Sequence, residues 1–99
     1  MYAVIFKAEI NALDENYTKT AKRMRDLAMQ QYGCTRFVSL MEGSQELTVS
    51  YWESPDQIEA WKQDPEHQKA QELGRSLWYR SYSVDVVHVL RHYGTEASD

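Results

Sequence analysis

His67 and the tryptophans that flank it are the side chains of this sequence with the clearest chemistry. The stretch from Tyr51 to Tyr82, YWESPDQIEAWKQDPEHQKAQELGRSLWYRSY, holds Trp52, Trp61 and Trp78, all three tryptophans of the chain, and half of its aromatic residues. An imidazole with its ordinary pKa near 6.5 accepts a proton at neutral pH, which suits His67 to act as a general base. The same ring also serves simply to hydrogen-bond a helix junction. A tryptophan offers an aromatic ligand a flat wall and an indole N–H, and equally anchors a helix to a sheet. Asn11 is the best amide candidate for a ligand oxygen, although a turn is the commoner use of such a residue. Arg36 and Arg80 are candidates for holding an anion, with a surface position as the usual alternative. His88, between Val86 and Leu90, reads as a satisfied interior or interface histidine, and His92 has no assigned role.

These residues sit in a chain of 99 residues with a formal charge of −4. Its lysines and arginines are scattered and form no basic stripe, so nucleic acid is not expected as a partner. No apolar run approaches the roughly 20 residues that span a bilayer, and the N-terminus lacks the pattern of a signal peptide. A soluble, cytoplasmic protein with no membrane contact is expected. Cys34 is the single cysteine. It has no intramolecular partner, no Cys/His spacing suggests a metal, and Cys34 reads as a small buried apolar residue.

The elements that must position the candidates follow from periodicity. Tyr2, Val4, Phe6, Ala8 and Ile10 alternate with Ala3, Ile5, Lys7, Glu9 and Asn11, giving a strand. Asp14 is a plausible N-cap for an amphipathic helix carrying Tyr17, Ala21, Met24, Leu27, Ala28 and Gln31 and ending near Gly33. Thr35 to Glu42 and Glu46 to Trp52 read as strands joined in a hairpin through Gly43, Ser44 and Gln45. Leu47, Val49 and Tyr51 alternate there with Thr48, Ser50 and Trp52. Ser54-Pro55 starts a helix that Pro65 interrupts, and a second helical piece runs on through Ala70, Leu73, Gly74, Leu77 and Trp78. Trp78 and Tyr79, if helical, point about 100° apart and do not share a cavity, leaving Tyr79 for an edge or a dimer interface. Tyr82, Val84, Val86, His88 and Leu90 mark the last strand. Residues 1–93 read as one domain and 94–99 as a loose tail.

The order βαββαβ is that of a ferredoxin-like α+β sandwich with a four-stranded antiparallel sheet. Two helices cover one face. The other carries Ala3, Ile5, Val38, Leu40, Val87 and Val89 or their alternating partners, too apolar to stay wet, so a second copy is expected to cover it and form a dimeric α+β barrel.

With YWES at Tyr51 to Ser54, Ala60-Trp61, and the proline-bent run from His67 to Tyr82, the sequence resembles the antibiotic biosynthesis monooxygenase family, over nearly the whole chain. The resemblance implies a homodimer with a pocket between sheet and helices in each subunit. It also implies an oxidation that needs no metal, flavin or haem. The implied substrate is a small quinol, anthrone or polycyclic phenol, which as its anion passes an electron to dioxygen. Trp61 falls where that family places a pocket tryptophan. With Trp78, Tyr51 and Phe37 it is expected to shape the pocket, while His67 or Asn11 handles polarity. One branch of the fold degrades haem through an iron-binding histidine ten residues after that tryptophan. Here Gln71 stands at that position, and Lys7 and Glu9 stand where that branch has an asparagine, so haem degradation is disfavoured. A non-catalytic module that binds a small aromatic ligand, and an interaction protein built for its dimer interface, are the alternatives.

Overall fold

The computed structural model describes residues 1–95; of the tail expected over 94–99, residues 96–99 lie outside the described residues. The order is β1 (Tyr2–Ile10), α1 (Glu15–Gln31), β2 (Arg36–Glu42), β3 (Gln45–Trp52), α2 (Pro55–Gln63), α3 (Pro65–Leu73), a π-helical turn (Gly74–Trp78) and β4 (Tyr79–His88). The strands form one antiparallel sheet ordered β2-β3-β1-β4, the ferredoxin-like α+β arrangement.

Local chemistry sets most boundaries. The Asp14 carboxylate accepts the Asn16 and Tyr17 N–H groups at 3.0 and 3.1 Å and so starts α1. Gly33 stops it at φ +83°, where a Cβ would lie 2.6 Å from the Gln57 amide nitrogen. Gln57 itself closes the capping box with Ser54 that begins α2. Asp64 ends α2 and caps α3, accepting the Glu66 N–H at 2.8 Å and the Tyr32 hydroxyl at 2.6 Å. The Tyr32 hydrogen bond is the main reason that the Asp64 carboxyl is held below its ordinary range.

β4 differs from expectation at both ends. It begins at Tyr79, three residues early, and stops at His88, so Leu90 is 90% exposed. Its pairing with β1 runs regularly to Glu9↔Ser81 and then jumps to Ile10↔Tyr79, leaving Arg80 as an extra residue. Such a bulge turns the following side chain to the opposite face. Arg80 swings out to Glu9 at 3.7 Å, and Tyr79 joins the face of Phe6 and Ala8. The π-helical turn just before it also carries Leu77 off the helix's apolar side, leaving it 51% exposed.

The core lies between the sheet and the helices and is built from Val4, Ala28, Cys34, Trp52 and Ile58. Trp52 is fully buried, and its indole N–H donates to Ser50 Oγ at 2.9 Å. Cys34 donates its thiol to the Arg36 carbonyl, and burial pushes its pKa up, which agrees with a packing role and not with a nucleophile. On the far side of the sheet, Val38, Leu40, Leu47 and Val87 are exposed.

Candidate functional site

Between the helices and the sheet lies a cavity of about 470 Å³, within the range of small-molecule sites. Strand alternation decides which candidates reach it. Val4, Phe6, Phe37, Ser50 and Val84 share the helix-facing side of the sheet through the pairings Val4↔Ser50, Phe37↔Ser50 and Phe6↔Val84, and all line the cavity.

Trp61, from α2, stands at one end. Its ring lies 5.2 Å from that of Trp52, meets Phe37 edge-on at 6.3 Å, and packs against His67 at 4.2 Å. Trp61 Nε1 and His67 Nδ1 are both buried and have no hydrogen-bond partner in the protein. Burial is the main influence on the His67 imidazole, lowering its pKa from 6.5, with Lys62 adding to the effect and Asp64 opposing it. His67 is therefore neutral at pH 7. Trp78 also lines the cavity, but its indole N–H is occupied by Asp14 at 3.2 Å, so it contributes a wall and no free donor.

Two expected site residues are not brought in. Tyr51 pairs with Ala3 and Arg36 on the face turned away from the helices. Its alternation with Leu47 and Val49 already placed it there, since Thr48, Ser50 and Trp52 take the inner side. Asn11 is exposed, and its backbone N–H donates to the Trp78 carbonyl at 2.8 Å, so it serves the connection after β1. Arg36 is exposed on the far face and Arg80 pairs with Glu9, so neither faces the cavity. His88 is exposed and stacks on Tyr2 at 4.8 Å.

The opposite end of the cavity holds residues that were not anticipated. Glu46, only 7% exposed, projects from β3 on the inner face, opposite Ala8. Its Oε1 accepts the hydroxyl of Tyr17, from α1, and that of Tyr79 at 3.2 Å. Its Oε2 accepts the Thr48 hydroxyl at 3.1 Å, and Thr48 Oγ1 lies 2.8 Å from Ser39 Oγ. Burial raises the pKa of both Tyr17 and Tyr79 above 10, and the Glu46 charge adds to it, so both phenols stay protonated. Tyr79 reaches Glu46 because the bulge turns it inward, and it shares the cavity with Trp78 because the two residues straddle a turn and a strand. The signal available in the sequence was a carboxylate in phase with Thr48, Ser50 and Trp52 on the side that the helices cover.

Tyr79 also depends on Gly74, where a Cβ would sit 2.9 Å from the phenol ring. Gly74→Ala is expected to cost about 1–3 kcal/mol in urea unfolding through overpacking. Gly94→Ala, which has open space around it, should leave the midpoint unchanged. Among the described residues, no three His, Cys, Asp or Glu side chains gather as a metal site would require, and no helix is long and apolar enough to cross a membrane.

Comparison with known proteins agrees with this architecture. The chain is 46% identical over 91 residues to YqjZ of Bacillus subtilis (strain 168), an uncharacterized protein, covering 91% of this chain and 80% of the relative. SnoaB, a cofactor-independent oxygenase from Streptomyces nogalater, superposes with a TM-score of 0.76 at 12% identity, over 92% of this chain and 94% of SnoaB. Rv0793 from Mycobacterium tuberculosis does so with a TM-score of 0.69 at 14% identity, over 94% and 98% of the two chains. At these identities the structural likeness speaks for the fold alone. Residues 1–73 match the family model for antibiotic biosynthesis monooxygenases, and the chain belongs to that family.

Proposed function

We propose that the protein is a cofactor-independent monooxygenase of the cytoplasm that oxidises a small quinol, anthrone or polycyclic phenol with dioxygen. The observation that carries this reading is the pair Trp61 and His67. Two neighbouring rings at one end of the cavity, with centroids 4.2 Å apart, each carry a buried nitrogen that is unpartnered in the protein, and this suits a ligand that brings its own oxygen. A neutral His67 takes the phenolic proton. The Trp61 N–H supports the oxygen on which charge develops, and the surrounding rings exclude water. The substrate anion then passes one electron to dioxygen. Recombination of the two radicals forms the new C–O bond of a peroxide anion, His67 returns its proton to the peroxide, and loss of water, with cleavage of the O–O and the remaining C–H bond, completes an anthrone-to-quinone conversion.

The reading includes a homodimer. The far face of the sheet, with Leu40 65% exposed beside Val38 and Leu47, is covered by the same face of a second copy. A second reading, a binding module that holds an aromatic ligand without turnover, is favoured by one observation. Glu46 already accepts from three hydroxyls, a fixed hydrogen-bonding arrangement that suits holding a ligand.

The test is oxygen uptake by chelator-treated, flavin-free protein of known solution mass against a panel of quinols and anthrones. Uptake above the buffer rate is expected, falling about 100-fold or more in kcat/KM for His67→Ala, and falling also in Trp61→Ala. Because burial holds the His67 pKa below 6.5, wild-type kcat/KM is expected to be flat near neutrality and to drop only as pH falls below 6.5. That limb should be missing in His67→Gln. Uptake at the buffer rate across the panel by folded protein refutes the oxygenase.

A further inference from the structure

We propose that the Glu46 end of the cavity receives a hydrogen-bond donor of the ligand, a neutral hydroxyl or a protonated nitrogen, and turns ligand carboxylates away. The ligand then spans the cavity with an acceptor oxygen at Trp61 and a donor at Glu46. This rests on the cavity being the ligand site, as the proposed function holds, but not on turnover.

The argument begins with lone pairs. An ionised carboxylate has about four acceptor positions. Tyr17 and Tyr79 take two on Oε1, and Thr48 takes one on Oε2. One position on Oε2 remains, on a side chain that is 7% exposed and lines the cavity. Among the described residues, the groups that meet this carboxylate are hydroxyl dipoles. The ion pairs formed among the described residues join Lys22 to Asp26, Arg23 to Glu66 and Arg80 to Glu9, and none reaches Glu46. A donor placed at the open position forms a charge-assisted hydrogen bond, the stronger kind. An anion placed there meets a like charge in a medium of low dielectric.

Spacing gives the ligand its shape. Glu46 and Ser50 lie on one strand with four residue steps between them, about 13 Å at the usual rise. Ser50 pairs with Phe37 beside Trp61. The floor between the two ends includes Phe6, Val84 and Tyr82. An elongated, flat molecule with polar groups at opposite ends meets both requirements together. Lys22, Arg25 and Lys62 are exposed along the outer wall. They draw anions toward the opening through a salt-sensitive attraction, which is separate from the selection made at Glu46.

The test uses ligands that do not turn over: 2-hydroxymethyl-, 2-methyl- and 2-carboxy-anthraquinone, titrated by quenching of tryptophan fluorescence at two salt concentrations. Wild-type protein is expected to bind the hydroxymethyl compound about tenfold more tightly than the methyl compound, and more tightly still than the carboxylate. Glu46→Gln, which brings an N–H donor to the same place, should reduce the hydroxymethyl-to-carboxylate ratio about tenfold. Thr48→Val, which frees a second acceptor position on Oε2, should preserve or increase it. Should Glu46→Gln fail to fold, the wild-type ratio and Thr48→Val still decide the matter. Equal binding of the three compounds by wild type, or preference for the carboxylate at high salt, overturns the proposal and leaves the oxygenase reading standing. Selective binding without oxygen uptake on the quinol panel does the reverse.

Discussion

Trp52→Ala is expected to remove about 3–5 kcal/mol of stability, the usual cost of truncating a buried tryptophan. Its side chain is the largest that is wholly enclosed. It touches Trp61 at 5.2 Å between ring centroids and belongs to the cluster that joins β1, α1 and α2 through Val4, Ala28 and Ile58. Truncation also leaves Ser50 Oγ without its indole partner in a buried place, which adds to the loss. A domain of this size has about 5–15 kcal/mol in total, so a large share of its margin goes with one ring. Urea unfolding at fixed protein concentration should show a large drop in midpoint with an unchanged m-value. The midpoint temperature should fall by more than about 10 °C. Trp52→Phe, which keeps much of the packing and loses the N–H, should fall between. A loss under about 1 kcal/mol for the alanine variant would mean that the ring is not part of a close-packed core.

The second large effect is alkaline. Tyr17 and Tyr79 have pKa values raised above 10 in the folded state, by burial first and then by Glu46. Below pH 10 both folded and unfolded chains carry these protons, and the full contribution to stability is present. Above it the unfolded chain releases protons that the folded chain keeps, so unfolding gains. Each such group lowers stability by up to about 1.4 kcal/mol per pH unit. Tyr32, raised in the same direction by its bond to Asp64, contributes from the surface. Wild-type protein should therefore lose stability steeply from pH 10 to 11.5, while Tyr17→Phe and Tyr79→Phe should each flatten the fall. At pH 7 the same variants should cost about 1–3 kcal/mol, because Glu46 loses a donor in a buried place. Parallel curves for wild type and both variants above pH 10 would show that the two phenols are not held protonated by the fold.

What could be read from the sequence was the part governed by near neighbours. Asp14, Gly33, Ser54-Pro55 and Asp64-Pro65 act within a few residues of where they stand, and each set the boundary its type implies. The alternation of β1 separated its two faces, while which of them the helices cover was left open between the two sets. What escaped depended on register across strands. Tyr51 was assigned to the pocket for its aromatic ring although its own alternation placed it with Leu47 and Val49. Tyr79 could not be placed without the bulge at Arg80, which exists only once β4 is laid beside β1. Glu46 became conspicuous only when Tyr17 and Tyr79, 29 and 33 residues distant in sequence, converged on it. Of the six expected site residues, Trp61, His67, Trp78 and Phe37 line the cavity, whereas Asn11 and Tyr51 do not.

The strand order β2-β3-β1-β4 also sets a timetable. β1 precedes the other three strands in the chain, yet it lies inside the sheet, and both of its partners are made much later. β3 begins at Gln45 and β4 at Tyr79. At ordinary synthesis rates of 5–20 residues per second, roughly 3–14 s separate the completion of β1 from the start of β4. Throughout that interval the nascent chain carries Val4 and Phe6 on a strand with at least one open edge. Pairing over such separations is slow and leaves sticky surface on view. The step that ends this exposure is the docking of the last strand, and Tyr79, its first residue, is also the one that completes the hydroxyl shell around Glu46.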